Sequence, residues 1–161
     1  VIFVTVGTQL PFDRLISAVD DWAGERRVSD VIAQIGPSSL VPKHVSVKPF
    51  VAADEFQQFV KEASLIIAHA GMGSIITAME LGKPIIIMPR RASLGEHRNE
   101  HQLATAQQLS GRGVHVAQER ADLWNLLDQR AALTPPSPIT AFASPDLVAV
   151  VQAFVVGGGR R

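Results

Sequence analysis

His69-Ala-Gly-Met-Gly-Ser-Ile-Ile-Thr-Ala-Met-Glu-Leu-Gly-Lys-Pro84 is the stretch on which the fold turns, because it sets a glycine-rich turn between an apolar strand and a helix. Upstream, Ala63 to Ala68 (ASLIIA) is a continuous apolar run of strand length. Gly71 and Gly73 let the chain turn sharply, and Ser74 is placed to cap the helix that follows. Downstream, Pro84 to Pro89 (PIIIMP) supplies the next buried strand. Strand, glycine turn, helix and strand make a βαβ crossover. The first amides of such a helix have no partners within it and lie at the positive end of its dipole, so the turn suits a diphosphate or another anion. A Gly-x-Gly pair is also compatible with a tight turn that binds nothing.

The same alternation extends along the chain. Val1 to Val6, Val31 to Ile35, Val45 to Pro49, Leu65 to His69, Pro84 to Met88 and Gly113 to Ala117 read as strands, rich in Val and Ile without strict alternation, which implies burial on both faces. Pro11 to Gly24, Ala53 to Glu62, Ser74 to Leu81, Asn99 to Gly111 and Glu119 to Gln129 read as amphipathic helices. Pro11 near the first turn and Asp54 as a cap are start signals, while Gly24, Gly82 and Gly111 are stops. The expected fold class is α/β, a Rossmann-like doubly wound and mostly parallel sheet with right-handed crossovers. One domain is expected over residues 1–133. A proline-rich linker follows at 134–145, then a closing helix at Asp146 to Val156, then a tail at Gly157 to Arg161.

Composition narrows the function. The 161 residues are 47% hydrophobic, enough for one well-buried domain. Fifteen basic and fifteen acidic residues cancel, which removes a bulk electrostatic reason for a nucleic-acid partner. Local charge remains in Lys83, Arg90, Arg91, His97 and Arg98, expected close to the anion turn or else a solvated patch. The absence of cysteine rules out disulfides and thiolate metal sites and is compatible with the cytoplasm. No apolar run reaches the roughly 18 to 20 residues that span a bilayer, so any membrane association is expected to be peripheral or through a partner.

Two further segments carry polar chemistry. Gly7-Thr8-Gln9 follows the opening strand, at the edge where open α/β sheets bind ligands; a plain strand-to-helix turn is the competing reading. Arg90 to Gln102 follows another buried strand and is long and polar for a mere connection. His97 and His101 stand four apart, a spacing compatible with half of a metal site, but no third ligand has a clear claim. Sugar and ribose hydroxyls suit His97, Asn99, His101 and Gln102 better. Gly71 and Gly73 do not complete a dinucleotide fingerprint, since Ile76 stands at the third glycine position.

Taken together, these motifs resemble the carboxyl-terminal, nucleotide-sugar-binding half of GT-B glycosyltransferases, specifically family 28. Phe3-Val-Thr-Val-Gly-Thr-Gln9, His69-Ala-Gly-Met-Gly-Ser74, Leu81-Gly-Lys-Pro84 and Glu100-His-Gln102 are similar to the small subunit of the two-part eukaryotic UDP-GlcNAc transferase. Gly7-Thr-Gln-Leu-Pro-Phe-Asp-Arg-Leu15, Ile35-Gly-Pro-Ser38 and the run from Met88 to Gln102 resemble small subunits of bacterial split glycosyltransferases for capsule and exopolysaccharide.

The resemblance implies one half of a GT-B fold, a UDP-sugar donor, inversion at the anomeric carbon and no metal or other cofactor. Gly71, Met72, Gly73 and Ser74 would hold the diphosphate, with Gly7, Thr8 and Gln9 on the opposing lip. His69 is a candidate for neutralising the leaving group and reads equally well as a structural histidine. Aligned through the glycines, the carboxylate that the wider family uses for the ribose falls on Thr77; Glu80, one turn on, shares its face. The implied partner is a membrane-associated, acceptor-binding subunit that presents a lipid-linked saccharide, which places this chain at the inner face of the plasma membrane. Asp146 to Val156 is the candidate segment for docking on that partner, and a homodimer is a substitute contact in isolation. A non-catalytic enhancer that stabilises a partner transferase is the alternative.

Overall fold

Short runs of branched aliphatic residues favour extended backbone, and here they align side by side. In a computed structural model, which describes residues 1–7, 10–96, 101–109 and 113–136, the strands are β1 (Ile2–Thr5), β2 (Val31–Gln34), β3 (Ser46–Lys48), β4 (Leu65–His69), β5 (Ile85–Met88) and β6 (Val114–Val116). They form one sheet in the order β3-β2-β1-β4-β5-β6, and every pairing is parallel. Helices α1 (Asp13–Arg26), α2 (Ala53–Glu62), α3 (Met72–Leu81) and α4 (His101–Leu109) connect successive strands except β2 and β3, and α5 (Arg120–Asp128) follows β6. The expected doubly wound sheet is present. Its described strands are parallel throughout, where the sequence reading allowed an exception.

The two faces of the strands feed two separate cores. Ile2, Val4, Val31, Ala33, Leu65, Ile67, Ile86 and Met88 pack with α1 and α5. Phe3, Ile66, Ala68, Ile85, Ile87 and Val114 face the other way, against α2, α3 and α4. Alternate residues of one strand therefore enter different cores, which is why β1, β4 and β5 are apolar without a break. Phe3 holds α2 through ring contacts with Phe56 and Phe59, at 5.5 and 5.3 Å between centroids.

Four local expectations are corrected. β3 is exposed at all three positions because it is an edge strand, so apolar character did not mean burial there. Gly24 does not stop α1, which runs on to Arg26 and ends on Arg27 at φ 57°. A β-carbon at Gly24 would overlap the His44 ring, so this glycine serves helix-to-loop contact. Asp54 lies inside the first turn of α2, whose cap is Ala52. Ser74 likewise lies inside α3, whose cap is Gly71. Gly82 does end α3, at φ 62°. Gly111 and the closing segment 146–156 lie outside the described residues, as does all of the proline-rich stretch beyond Pro136.

Candidate functional site

The strand order reverses between β1 and β4, so the chain leaves these neighbours toward opposite faces and opens a crevice at their carboxyl ends. A cleft of about 600 Å³ lies there. Gly7 borders it on the β1 side, His69, Gly71, Gly73 and Thr77 on the β4 side, and Val51 and Phe56 form an apolar wall. Among the described residues, five polar or charged side chains are buried: Thr5, Asp20, Gln34, Arg90 and Gln102. Four of them, all but Asp20, line this cleft. Burying polar groups is costly unless they are satisfied, so their gathering at one end of the sheet marks a site built for a polar ligand.

His69 stands at the end of β4 with its ring wedged between two glycines. A β-carbon at Gly71 would overlap the ring, and one at Gly7 would fall 3.0 Å from Nε2. Gly7 also adopts φ +78°, a conformation that disfavours other residues. Gly71 has extended backbone, φ −86° and ψ 139°, so its need is for space and not for a sharp turn. His69 Nδ1 lies 3.0 Å from Gln102 Nε2, and Gln102 Oε1 accepts the Arg90 amide at 3.0 Å. Below them, the Gly7 amide donates to Thr5 Oγ1 at 3.3 Å and Thr5 donates to Gln34 Oε1 at 2.8 Å.

No side chain caps the start of α3. The amides of its first turn therefore remain for a ligand, with the helix dipole behind them. A β-carbon at Gly73 would meet nothing within 4 Å, so this position opens directly onto the cleft. Ser74 and Met72 line the same space. Thr77 also borders it, although its hydroxyl donates to the Gly73 carbonyl at 2.9 Å. Glu80 is exposed and lies outside the cleft lining. His101 opens α4 and is exposed, also outside the lining. Thr8, Gln9, His97 and Asn99 lie outside the described residues.

The expected cluster of cations separates. Lys83 follows α3 at the opposite edge of the sheet, where its ammonium donates to the Lys61 carbonyl at 2.7 Å. Arg91 pairs with Glu119 at 3.1 Å. Of the described members of the cluster Arg90 alone enters the cleft wall, 3% exposed, His97 and Arg98 lying outside the described residues, and its guanidinium donates to the carbonyls of Val6, Leu10 (2.9 Å), Pro11 (2.8 Å) and Glu96 (3.3 Å) while lying over the Phe12 ring. Burial pushes its pKa down to about 10, partly offset by Glu96, so it stays charged at neutral pH. The sequence reading placed Arg90 near the anion turn only as part of that cluster. Three of its four acceptors are backbone carbonyls some 80 positions upstream, which leave no mark in a residue pattern.

Comparison with known proteins places this geometry. The model of the glycosyltransferase family 28 C-terminal domain matches residues 1–135. The UDP-N-acetylglucosamine transferase subunit ALG13 of Homo sapiens is 33% identical over 122 residues, covering 70% of this chain and 10% of the human protein. Its Mus musculus counterpart is 31% identical over 121 residues, covering 69% and 10%. The chain thus spans about a tenth of the length of these relatives. A solution structure of ALG13 superposes with a TM-score of 0.59 at 19% identity, covering 85% of this chain and 88% of that one. MurG of Acinetobacter baumannii superposes at 0.57 and 18%, covering 81% and 42%. At these identities the structural likeness speaks for the fold alone.

Proposed function

Because the chain belongs to the glycosyltransferase family 28 C-terminal domain family, we propose that its cleft is the donor site of a two-part, UDP-sugar-dependent glycosyltransferase. The observation that carries this reading is the uncapped start of α3 opening, beside Gly7 and His69, onto the place where the buried polar side chains collect. A diphosphate takes hydrogen bonds from the amides of Gly73 and Ser74, with the α3 dipole stabilising the charge that grows as the leaving group departs. The apolar wall of Val51 and Phe56 suits a flat, weakly polar group at the other end of the donor. No step needs a metal, since helix amides supply what an ion would supply to the diphosphate.

The acceptor half and its general base belong to a separate, membrane-associated subunit that presents a lipid-linked saccharide. Inversion follows if the acceptor hydroxyl attacks the anomeric carbon from the side opposite the diphosphate. The acceptor oxygen forms the new bond, UDP leaves with the electron pair of the old one, and the hydroxyl proton goes to the partner's base. By its motifs the process is bacterial capsule or exopolysaccharide synthesis at the inner face of the plasma membrane. Among the described residues no helix is long and apolar enough to cross a membrane.

Calorimetric titration with UDP and a panel of UDP-sugars tests the donor site. A β-carbon at Gly73 meets nothing within 4 Å, so Gly73→Val is expected to fill the mouth of α3, and valine is no worse than glycine within a helix. The variant is expected to fold normally and to bind UDP at least about tenfold more weakly, the loss expected for one hydrogen bond to a charged group. Equal binding by both proteins would refute the site. One observation favours a second reading, a non-catalytic enhancer of a partner transferase. The ribose carboxylate position holds Thr77, whose hydroxyl is turned to the helix backbone, and Glu80 lies outside the cleft. Failure of UDP to bind both the chain and its complex with the partner would support that reading.

A further inference from the structure

Resting on the reading of the cleft as a donor site, we propose that Gln102 is a positioning residue that holds His69 as the uncharged Nε2–H tautomer. The imidazole at the border of the cleft is then neutral and not a cation. The argument begins at a group whose role is not adjustable. The Arg90 backbone amide can only donate, and its acceptor at 3.0 Å is a side-chain oxygen of Gln102, which orients that amide without ambiguity. The NH2 end of Gln102 must therefore be the end that lies 3.0 Å from His69 Nδ1.

An NH2 group donates and does not accept, so Nδ1 has to accept. An imidazole that accepts at Nδ1 carries its proton on Nε2. Protonating Nδ1 would set two donors face to face beside Gln102, a side chain only 7% exposed. The ring has no easy escape. Gly71 receives one face so closely that a β-carbon would overlap it, and Gly7 comes nearest to Nε2. Turning the ring over would present a carbon to the Gln102 donor and lose the contact. The proton then sits on Nε2, the ring nitrogen nearest to Gly7, which borders the cleft.

This assignment changes the role open to His69. Neutralising a leaving group by charge requires an imidazolium, whereas the tautomer fixed here carries no charge. It also gives Gln102 a purpose that no direct ligand contact requires, linking the first backbone amide beyond Pro89 to the side chain at the end of β4.

The test is nitrogen-15 NMR on the full chain with labelled histidines, reading two-bond ring correlations at neutral pH. His69 is assigned by the signal lost in His69→Asn. The wild type is expected to show Nε2 protonated and Nδ1 bare. In Gln102→Glu one carboxylate oxygen keeps the Arg90 amide and the other demands a proton, so Nδ1 should become protonated. Gln102→Leu removes the donor without that demand and should leave a mixture of tautomers. A wild type with Nδ1 protonated overturns the proposal, as does a folded Gln102→Glu whose His69 pattern is unchanged. If that variant does not fold, the wild-type spectrum decides alone. Added UDP should leave Nδ1 bare; UDP that binds and protonates Nδ1 overturns the proposal. UDP that binds neither the chain nor its complex with the partner removes the donor-site reading, and the tautomer pattern is still decided by the spectrum of the free chain.

Discussion

Replacing Arg90 tests whether the cleft is held together by one buried cation. Its guanidinium joins the loop after β1, through the carbonyls of Val6, Leu10 and Pro11, to the segment after β5, through Glu96. Arg90→Met keeps much of the volume and removes every donor. Val6 is fully buried, so its carbonyl left dry costs about 1–3 kcal/mol. Leu10 is exposed and Pro11 half-buried, so water recovers part of what their carbonyls lose. Adding the lost cover over Phe12, the total comes to about 3–5 kcal/mol, the range for stripping one side of a buried charged contact. Urea unfolding reads this directly. With a slope of about 2 kcal/mol/M, the midpoint should fall by about 2 M. Arg90→Lys keeps the charge but not the planar fork, so it should lie between Met and the wild type. A Met variant within about 1 kcal/mol of the wild type would refute the reasoning, and a Lys variant no better than Met would refute its geometric part.

Three other perturbations separate structural from ligand-binding roles. Gly71→Ala drives a β-carbon into the His69 ring, so it should cost about 1–3 kcal/mol in urea unfolding and move the His69 NMR signals, unlike Gly73→Val, which should do neither in the free chain. Asp20 accepts the backbone amides of Lys43, His44 and Val45 at 3.1, 2.7 and 3.1 Å, so Asp20→Ala should cost about 2–4 kcal/mol, and hydrogen exchange at those three amides should accelerate. Hydrogen bonds from Arg26, and then from Trp22, lower Asp128 to about 2 from an ordinary 3.8. Its contribution to stability is therefore complete above the unfolded value and is lost as pH falls from 3.8 toward 2, so thermal melts over that range should decline less steeply in Asp128→Asn.

Much of the fold was legible because it rests on short-range signals. β4 and α2 have the bounds read from the sequence, Leu65–His69 and Ala53–Glu62, since both are framed by a change of period and by polar residues. What failed were inferences about single residues whose neighbours are distant. Gly24 looks like a helix stop until His44 is seen to lie on it. Val45 to Pro49 looks like a buried strand until the sheet order puts it at an edge. At the site, Gly71 and Gly73 border the cleft as expected, but Gly71 makes room for a ring and not for a turn. Gln102 was read as a ligand contact from its polarity, and the structure adds its bonds to Arg90 and His69. Arg90 was read only as one of a cluster of cations near the anion turn or in a solvated patch, because its carbonyl acceptors leave no residue type to recognise.

The electrostatics of the cleft bear on why such a domain would work with a second chain. Among the described residues no carboxylate lines the cleft, and the one permanent cation there, Arg90, has its N–H groups directed at carbonyls. An anion held there would be met by these residues mainly through dipoles, chief among them the first amides of α3. Fixed dipoles are weak beside bulk water and strong when water is excluded, because the effective dielectric sets the energy of each contact. A single wall leaves the far side of a diphosphate wet. On the donor-subunit reading, a partner that closes the opposite side strengthens every contact already present without adding a charged residue, and the growing charge of the leaving group gains most. The division of the enzyme into two chains then couples assembly to catalysis, since the dipoles that hold the donor reach full strength only in the closed complex.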